Sequence, residues 1–446
     1  MSDETDEAKP RKASSVRHTR AIQRDRSKRP VSMPTDQQIQ ERLTEVVLPE
    51  ALSQVSHFHG MGLRERTLNL PIMVALVLGM IWRQVSGVNE LVRVIEEEVI
   101  LWAAPIKVSQ PALSQRLTSL PAELFLKVLE AVLPKMQVRW QERQRPLPAE
   151  LAWAQAHYTA TQAVDGSTLD TLLRKIGLLK NLPATPLAGR MTALLDLGSR
   201  LPSRIWYESD PLAHDQRFWP TILSVLKAGS LLIFDMGYIN FVVFAQLTLA
   251  QVKFITRAKT NLVYTLEHNL IQTASVRDSR VWIGSGDERQ LVRLIEVLYR
   301  GKWHRYLTNE LDLERLPTAY AVALYWQRWR IEDAYGVVKR LLGLAYFWCG
   351  AQNAVEMQMW ATWLLYAILI DLTDAVAEAL HQPFAAISIE MIYRSLYFFA
   401  REHQRDPAKE LVAYLAEKSK RLGIVKRKRK SDKPSPLVFI GPLTAS

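Results

Sequence analysis

Three carboxylates, Asp165, Asp235 and Glu332, are candidate ligands for catalytic metal ions. Asp165 follows the segment TATQAV (159–164) and Asp235 follows the apolar run LLIF (231–234), and both segments predict strands that end at the aspartate. Carboxylates at the ends of neighbouring strands can lie close together, and like charges that close need a cation. Two Mg²⁺ ions held about 4 Å apart would activate water or a 3′-hydroxyl for phosphoryl transfer. For either aspartate alone, the alternative is a turn residue.

Glu332 lies in the segment Tyr325–Lys339, YWQRWRIEDAYGVVK, which has the composition of a helix. At roughly 100° per residue, Tyr325, Arg328, Glu332 and Lys339 fall within an arc of about 60°, and aliphatic residues fall on the far side. Arg328 could fork two phosphate oxygens, Lys339 could bind another as a point charge, and Tyr325 could donate a hydrogen bond. The alternative is a solvated helix face with a weak i,i+4 ion pair.

A mixed α/β core is expected to position these residues. From residue 155 onward, predicted strands and helices alternate, and the run 231–234 is typical of a strand buried on both faces. Residues 259–311 break the alternation and predict a β insertion of several short strands. A long helix then runs from 316–317 to about 343. The predicted strands of the core are 159–164, 191–197, 203–209, 231–234 and 252–257, and its other helices are 214–228 and 239–250.

Helical regions flank this core on both sides. The segment VSQPALSQRLTSLP (108–121) has a Ser cap and a Pro in its first turn. With the preceding helix it could form a helix-turn-helix that points Ser114, Gln115 and Arg116 at DNA, although a plain helical hairpin is the alternative. The predicted flanking helices are 36–56, 70–83, 88–103, 110–118 and 121–142 before the core, and 354–381 and a pair within 384–420 after it.

The net charge of +12 is concentrated in two tails. Residues 8–29 and residues 418–433 each carry a net charge of +8, which leaves −4 for the rest of the chain. Such tails bind polyanions by counterion release, although solubilising disorder is the alternative. The single cysteine, Cys349, excludes an internal disulfide and fits a reducing cytoplasm. No signal peptide is expected, and the apolar run 359–370 is too short to span a bilayer.

The motifs around the three carboxylates match those of a known protein family. The pattern Y-x2-R-x3-E-x6-K is met without a gap, and the sequence resembles the DDE transposases of bacterial insertion sequences. The resemblance is to the insertion-sequence-four type with the YREK motif, a group that includes the transposase of transposon Tn-five. Four segments carry it, in the family's order: AVDGST around Asp165, FDMGY around Asp235, YLTNE at 306–310 and YWQRWRIED at 325–333.

The resemblance implies the roles of the site residues. Asp165, Asp235 and Glu332 would be the catalytic triad that binds two Mg²⁺ ions, with Mn²⁺ as a substitute. Arg328 and Lys339 would hold DNA phosphates, with Tyr325 beside them. Members use an aromatic residue of the insertion to hold a flipped base. Trp303 is the first candidate for that role and Trp282 the second, with core packing as the alternative for both.

The resemblance also implies an RNase H-like fold, double-stranded DNA at transposon ends and target as the partner, and a homodimer in the synaptic complex. The protein would act in the bacterial cytoplasm at the nucleoid and not at a membrane. Two alternatives stay open: a catalytically silent DNA-binding regulator, and an RNase H-like nuclease without strand transfer. The predicted parts are a basic disordered tail (1–34), an α-helical DNA-binding domain (35–150), the first part of the core (155–258), the β insertion (259–311), the second part of the core with the catalytic helix (312–350), a C-terminal helical region (351–415) and a second basic tail (416–446).

Overall fold

The centre of the fold is one mixed β-sheet. A computed structural model describes residues 37–63, 66–85, 87–169, 189–210, 212–344, 347–349, 351–427 and 435–441. The predicted tail 1–34 lies outside these residues, as does much of the second tail. The strands are β1 (Thr161–Thr168), β2 (Arg190–Asp196), β3 (Pro202–Glu208), β4 (Leu231–Phe234), β5 (Lys253–Arg257), β6 (Thr265–Gln272), β7 (Val276–Ile283), β8 (Gln290–Tyr299) and β9 (Lys302–Thr308).

The strand order is β3-β2-β1-β4-β5-β9-β8-β7-β6. β1, β4 and β5 pair in parallel, whereas the other neighbours pair antiparallel. Alternate residues of β4 enter two different cores: Leu231 and Ile233 face one side, and Leu232 and Phe234 face the other. The prediction of a mixed-sheet α/β core is therefore confirmed, and the sheet is consistent with an RNase H-like transposase core.

The strands predicted as a β insertion continue the same sheet. β9 pairs antiparallel with β5, with Ile255 opposite Thr308 and Arg257 opposite Tyr306, and β8, β7 and β6 follow as a meander. The insertion therefore covers the edge of β5, which would otherwise present unpaired backbone groups.

A buried ion pair joins the meander to the segment that follows it. Arg293 and Asp278 are completely buried, and their side chains are joined by two hydrogen bonds, one of them 3.1 Å from Nε of Arg293 to Oδ1 of Asp278. The Nη1 atom of Arg293 also donates to the backbone carbonyl of Leu316 at 2.8 Å, and the hydroxyl of Thr318 donates to Asp278 at 2.7 Å. These bonds fix the start of the helical segment that carries Glu332.

Replacing Arg293 by Met is expected to lower the free energy of unfolding by about 3–5 kcal/mol, because Asp278 would remain buried without its counter-ion. The double variant Arg293→Met, Asp278→Leu should recover much of that loss, since it removes both charges. Urea unfolding of the two variants measures the difference. A double variant no more stable than the single one would show that the charges are not the cause.

The helices form a layer on each face of the sheet. Trp219–Leu223 and Phe241–Leu249 pack on one face, and the N-terminal helices with those between Thr318 and His403 pack on the other. They are α1 (Gln37–Ser53), α2 (Val55–Gly60), α3 (Leu70–Trp82), α4 (Val88–Glu97), α5 (Gln110–Ser119), α6 (Glu123–Glu142), α7 (Ala149–His157), α8 (Trp219–Leu223), α9 (Phe241–Leu249), α10 (Thr318–Trp326), α11 (Trp329–Gly336), α12 (Gln352–Ala379), α13 (Ile389–His403), α14 (Leu411–Glu417) and α15 (Pro436–Ile440).

Helix α12 is the core helix of the second layer. It is long and apolar enough to cross a membrane, but 94% of its most apolar window is buried inside the protein. Its buried Asp371 accepts hydrogen bonds from Arg42 of α1 at 2.9 Å and from Arg143 at 2.6 Å. These bonds anchor the N-terminal helical region to α12.

The predicted single helix from 316–317 to 343 is wrong, because the segment is broken twice. Around Arg328 the backbone hydrogen bonds join residues three apart instead of four, and the N–H of Arg328 donates to the carbonyl of Tyr325 at 3.0 Å. Helix α10 therefore ends before Arg328, and α11 begins after it. Residues Val337–Leu341 then form a π-helical turn. A uniform 100° per residue therefore does not hold along this segment, and π turns often mark functional sites.

Candidate active site

The sheet register places Asp165 and Asp235 side by side. In the parallel pair β1–β4, Ala163 is opposite Ile233 and Val164 is opposite Phe234, so the two aspartates occupy the next matched positions. Neighbouring strands lie about 4.8 Å apart. Asp235 follows the last residue of β4, and its Oδ1 accepts a hydrogen bond from the backbone N–H of Met236 at 2.7 Å.

The predicted end of the strand at Asp165 is wrong, because β1 continues beyond this residue. β1 continues to Thr168, since Asp165 pairs with Ala193 and Thr168 with Arg190 in the antiparallel partner β2. The side chain of Asp165 accepts from the N–H of Gly166 at 2.9 Å. The extension carries the strand past the carboxylate.

Arg328 links the first and third carboxylates. Its Nη1 donates to Oδ2 of Asp165 at 3.1 Å, and its Nη2 donates to Oε1 of Glu332 at 2.7 Å. Burial lowers the pKa of Arg328, but Tyr325 and the charges of Asp165, Glu332 and Asp235 outweigh that effect, so its pKa lies above the ordinary value. One guanidinium thus serves as counter-ion to Asp165 and Glu332.

Asp165 is a partly buried carboxylate with other carboxylates nearby. Burial raises its pKa to about 6, and the negative charges of Glu332 and Asp215 act in the same direction. Arg328 and the N–H of Gly166 oppose the increase. A buried carboxylate among like charges gains from a nearby cation, which agrees with a cation-binding role.

The other two residues of the predicted polar helix face, Lys339 and Tyr325, have different surroundings. Lys339 lies in the π turn, and its Nζ donates to the carbonyl of Thr168 at 2.7 Å and to Oγ of Ser167 at 3.2 Å. It therefore contacts the end of β1, just beyond Asp165. Tyr325 is buried, with its ring 5.1 Å from that of Tyr306. Contact of these residues with DNA stays a prediction.

The two candidate aromatic residues of the insertion lie at opposite ends of the meander. β9 runs antiparallel to β5, so Trp303 extends beyond the carboxyl end of β5, on the side of the sheet where the aspartates lie. It is 38% exposed and its ring lies 4.5 Å from the guanidinium of Arg277. Trp282 pairs with Leu291 at the other end of the strands. Of the two, Trp303 therefore lies on the side that DNA bound at the carboxylates would approach.

The helices proposed to read DNA form as α4 and α5. Ser109 caps α5 by accepting from the N–H of Ala112 at 3.3 Å, as its sequence predicts. Gln115 is exposed, but Ser114 is half-buried and accepts from Gln110, and Arg116 donates to the backbone carbonyl of Leu68 at 2.9 Å. A helix-turn-helix function stays a prediction, and Arg116 has a structural contact of its own.

Sequence reasoning missed Asp215 and Arg190, which border the site. The two side chains form an ion pair. A Cβ at Gly166 would collide with both of them, and a Cβ at Gly237 would lie 3.2 Å from Oδ2 of Asp215. Asp215 thus lies over the residues next to the two strand aspartates. The glycines were the available signal, because a glycine can mark close approach of other groups.

The oxygen ligands that the three carboxylates offer fit divalent cations, although Asp165 and Glu332 are hydrogen-bonded to Arg328. Mg²⁺ and Mn²⁺ prefer carboxylate oxygens, which Asp165, Asp235 and Glu332 supply. Within the described part of the chain, no group of three or more Asp, Glu, His or Cys side chains is close enough to hold a metal ion as it stands. Arg328 occupies the position between Asp165 and Glu332.

Two comparisons with known proteins give similarity to transposases. Residues 189–368, less than half of the chain, match the family described as Transposase DDE domain. The match contains Asp235, Glu332 and Lys339 and begins after Asp165. The chain is 27% identical over 191 residues to "Putative transposase y4zB" of Sinorhizobium fredii (strain NBRC 101917 / NGR234), which covers 40% of this chain and 52% of that protein. The chain thus spans about half the length of this relative, and its family match is to a DDE transposase domain.

Proposed function

We propose that the protein is a DNA transposase that binds the terminal inverted repeats of its own insertion sequence, cleaves at the ends and joins the 3′-hydroxyl ends to target DNA. The observation that carries this proposal is the matched position of Asp165 and Asp235 on adjacent parallel strands, with Glu332 linked to Asp165 through Arg328. The insertion-sequence-four type and the YREK roles are part of the proposal.

Asp165, Asp235 and Glu332 would hold two divalent ions, Mg²⁺ or Mn²⁺. When bound, such ions increase the acidity of a water or 3′-hydroxyl and stabilise charge on the leaving oxygen. The fixed backbones of β1 and β4 orient two of the carboxylates, and α11 supplies the third. The chain therefore holds its ligands on rigid elements, which phosphoryl transfer by positioning requires.

The basic side chains would bind the DNA backbone next to these carboxylates. Arg328, once released from Asp165 and Glu332, presents a planar fork that matches a phosphate. Lys339 lies beside the end of β1 and could bind a second phosphate. Trp303 lies on the same side of the sheet and could stack on an unpaired base. Binding of both ends in a homodimer, in the bacterial cytoplasm, is part of the same proposal.

Incubation of purified protein with Mg²⁺ or Mn²⁺ and the DNA that flanks its gene tests this function. We expect cleavage at the element ends followed by joining to target DNA, and loss of both with Glu332→Gln. Binding without metal-dependent cleavage would contradict the proposal and favour a silent regulator. Cleavage without joining would favour a nuclease.

The N-terminal basic tail is expected to contact DNA without reading its sequence. Deleting residues 1–33 should flatten the decline of log binding constant with log salt, by about 0.9 for each phosphate that the tail neutralises. A variant with the same tail composition in scrambled order is the control and should keep the wild-type slope. An unchanged slope after deletion would mean that the tail does not touch DNA.

A further inference from the structure

Tyr335 places its hydroxyl between the two strands at the position of Asp165. The hydroxyl donates to the backbone carbonyl of Asp165 at 2.7 Å and accepts from the backbone N–H of Ala193 at 3.0 Å. Asp165 and Ala193 are opposite each other in the β1–β2 register. In an antiparallel sheet, opposite pairs alternate between those joined by bonds between these backbone groups and those that are not. The hydroxyl therefore bridges β1 and β2 at the catalytic aspartate.

The same side chain ties the third carboxylate to that position. Tyr335 follows Glu332 by three residues in α11, so both project from one side of the helix. Its ring is buried and packs edge-on against Trp363 of α12, with the ring centres 5.9 Å apart. The hydroxyl thus has little freedom to move. A displacement of α11 would break its bonds to the backbone of Asp165.

We propose that Tyr335 is a positioning residue that sets the separation of Asp165 and Glu332 for divalent-ion binding. This inference rests on the proposed function, since it concerns the same carboxylates. Tyr335 touches neither DNA nor the ions. Its hydroxyl acts through the backbone of Asp165, whereas its ring would fill the same space as a phenylalanine.

The test compares Tyr335→Phe with Tyr366→Phe. Tyr366 is the control, because it is also buried and its hydroxyl also donates to a backbone carbonyl, that of Arg200 at 2.9 Å. Each variant loses one buried hydroxyl and keeps its ring, but Tyr335→Phe also leaves the N–H of Ala193 without this acceptor, so it should lose more thermal stability than Tyr366→Phe. Both are measured well below their melting temperatures.

We expect Tyr335→Phe to weaken Mn²⁺ binding by about tenfold, as loss of a group that orients metal ligands does, and Tyr366→Phe to leave it unchanged. Isothermal titration with Mn²⁺ alone gives this readout without DNA or turnover. Amide exchange should also accelerate in the peptide around Ala193 for Tyr335→Phe but not for Tyr366→Phe. End cleavage by Tyr335→Phe should recover partly at high Mn²⁺.

Two results would overturn the inference in distinguishable ways. If wild type binds Mn²⁺ and cleaves DNA but Tyr335→Phe binds Mn²⁺ as wild type does, the positioning role is wrong and the proposed function stands. If wild type itself neither binds Mn²⁺ nor cleaves, both fall. Should Tyr335→Phe aggregate, Tyr335→Met also removes the hydroxyl and fills most of the space of the ring, and a wild-type Mn²⁺ affinity in that variant would count against the role.

Discussion

Replacing Asp165 or Asp235 by Asn, or Glu332 by Gln, is expected to abolish DNA cleavage and to leave end binding largely intact. Each change removes a carboxylate from the proposed metal site, and the loss of several kcal/mol of transition-state stabilisation corresponds to a rate about three orders of magnitude lower. The basic residues that contact phosphates remain in place. Cleavage assays and binding isotherms on the same end DNA measure the two effects separately.

Asp333→Asn is the matched control for these variants. Asp333 is adjacent to Glu332 in α11, but its side chain is exposed, and its direction differs by roughly 100°. We expect near wild-type cleavage from it. Loss of end binding in all three triad variants would indicate that the carboxylates are structural, and an inactive Asp333→Asn would indicate that any charge change in α11 is damaging.

Replacing Arg328 by Ala is expected to change two measured quantities in opposite directions. In the protein without DNA, its guanidinium is bonded to Asp165 and Glu332, so its removal leaves these carboxylates without a counter-ion and should tighten Mn²⁺ binding about tenfold, or about 1.4 kcal/mol. Cleavage should nevertheless fall by about 10²-fold, because the variant cannot form the charged hydrogen bond to a phosphate. Mn²⁺ titration and single-turnover cleavage give the two numbers.

Arg340→Ala and Arg328→Lys are the controls for this prediction. Arg340 is an exposed arginine of the adjoining π turn, and its loss should alter neither quantity. Lysine at 328 keeps the charge but cannot bond two carboxylates in one plane, so an intermediate result is expected. Unchanged Mn²⁺ affinity in Arg328→Ala would mean that its bonds to the carboxylates do not compete with the metal.

The pairing of the two aspartates could be predicted from sequence because both follow short strand-forming segments. LLIF is buried completely in β4, and parallel neighbours bring their carboxyl ends to one edge. The strand boundary at Asp165 was missed because β1 is extended by pairing with β2, whose residues lie much later in the chain. Such tertiary pairing leaves no trace in the local segment around Asp165.

The contacts of the segment Tyr325–Lys339 were also hard to predict, because they too depend on residues distant in sequence. Arg328 is drawn to Asp165, which is 163 residues away in sequence, and the wheel assumed a regular helix through it. The bonds of Tyr335 to two backbone atoms have no sequence pattern at all, since the partners are identified only by the fold. The ion pair of Arg190 with Asp215 is likewise a contact that only the folded chain brings together.

Iron-mediated cleavage of the protein backbone tests most directly whether one metal site joins the three carboxylates. Fe²⁺ bound in place of Mg²⁺ generates hydroxyl radicals with ascorbate and peroxide, and these cut the chain near the metal. We predict fragments that end close to residues 165, 235 and 332, suppressed by excess Mg²⁺ and absent from Glu332→Gln. Cuts at only one of these positions, or cuts that Mg²⁺ does not suppress, would contradict a shared metal site.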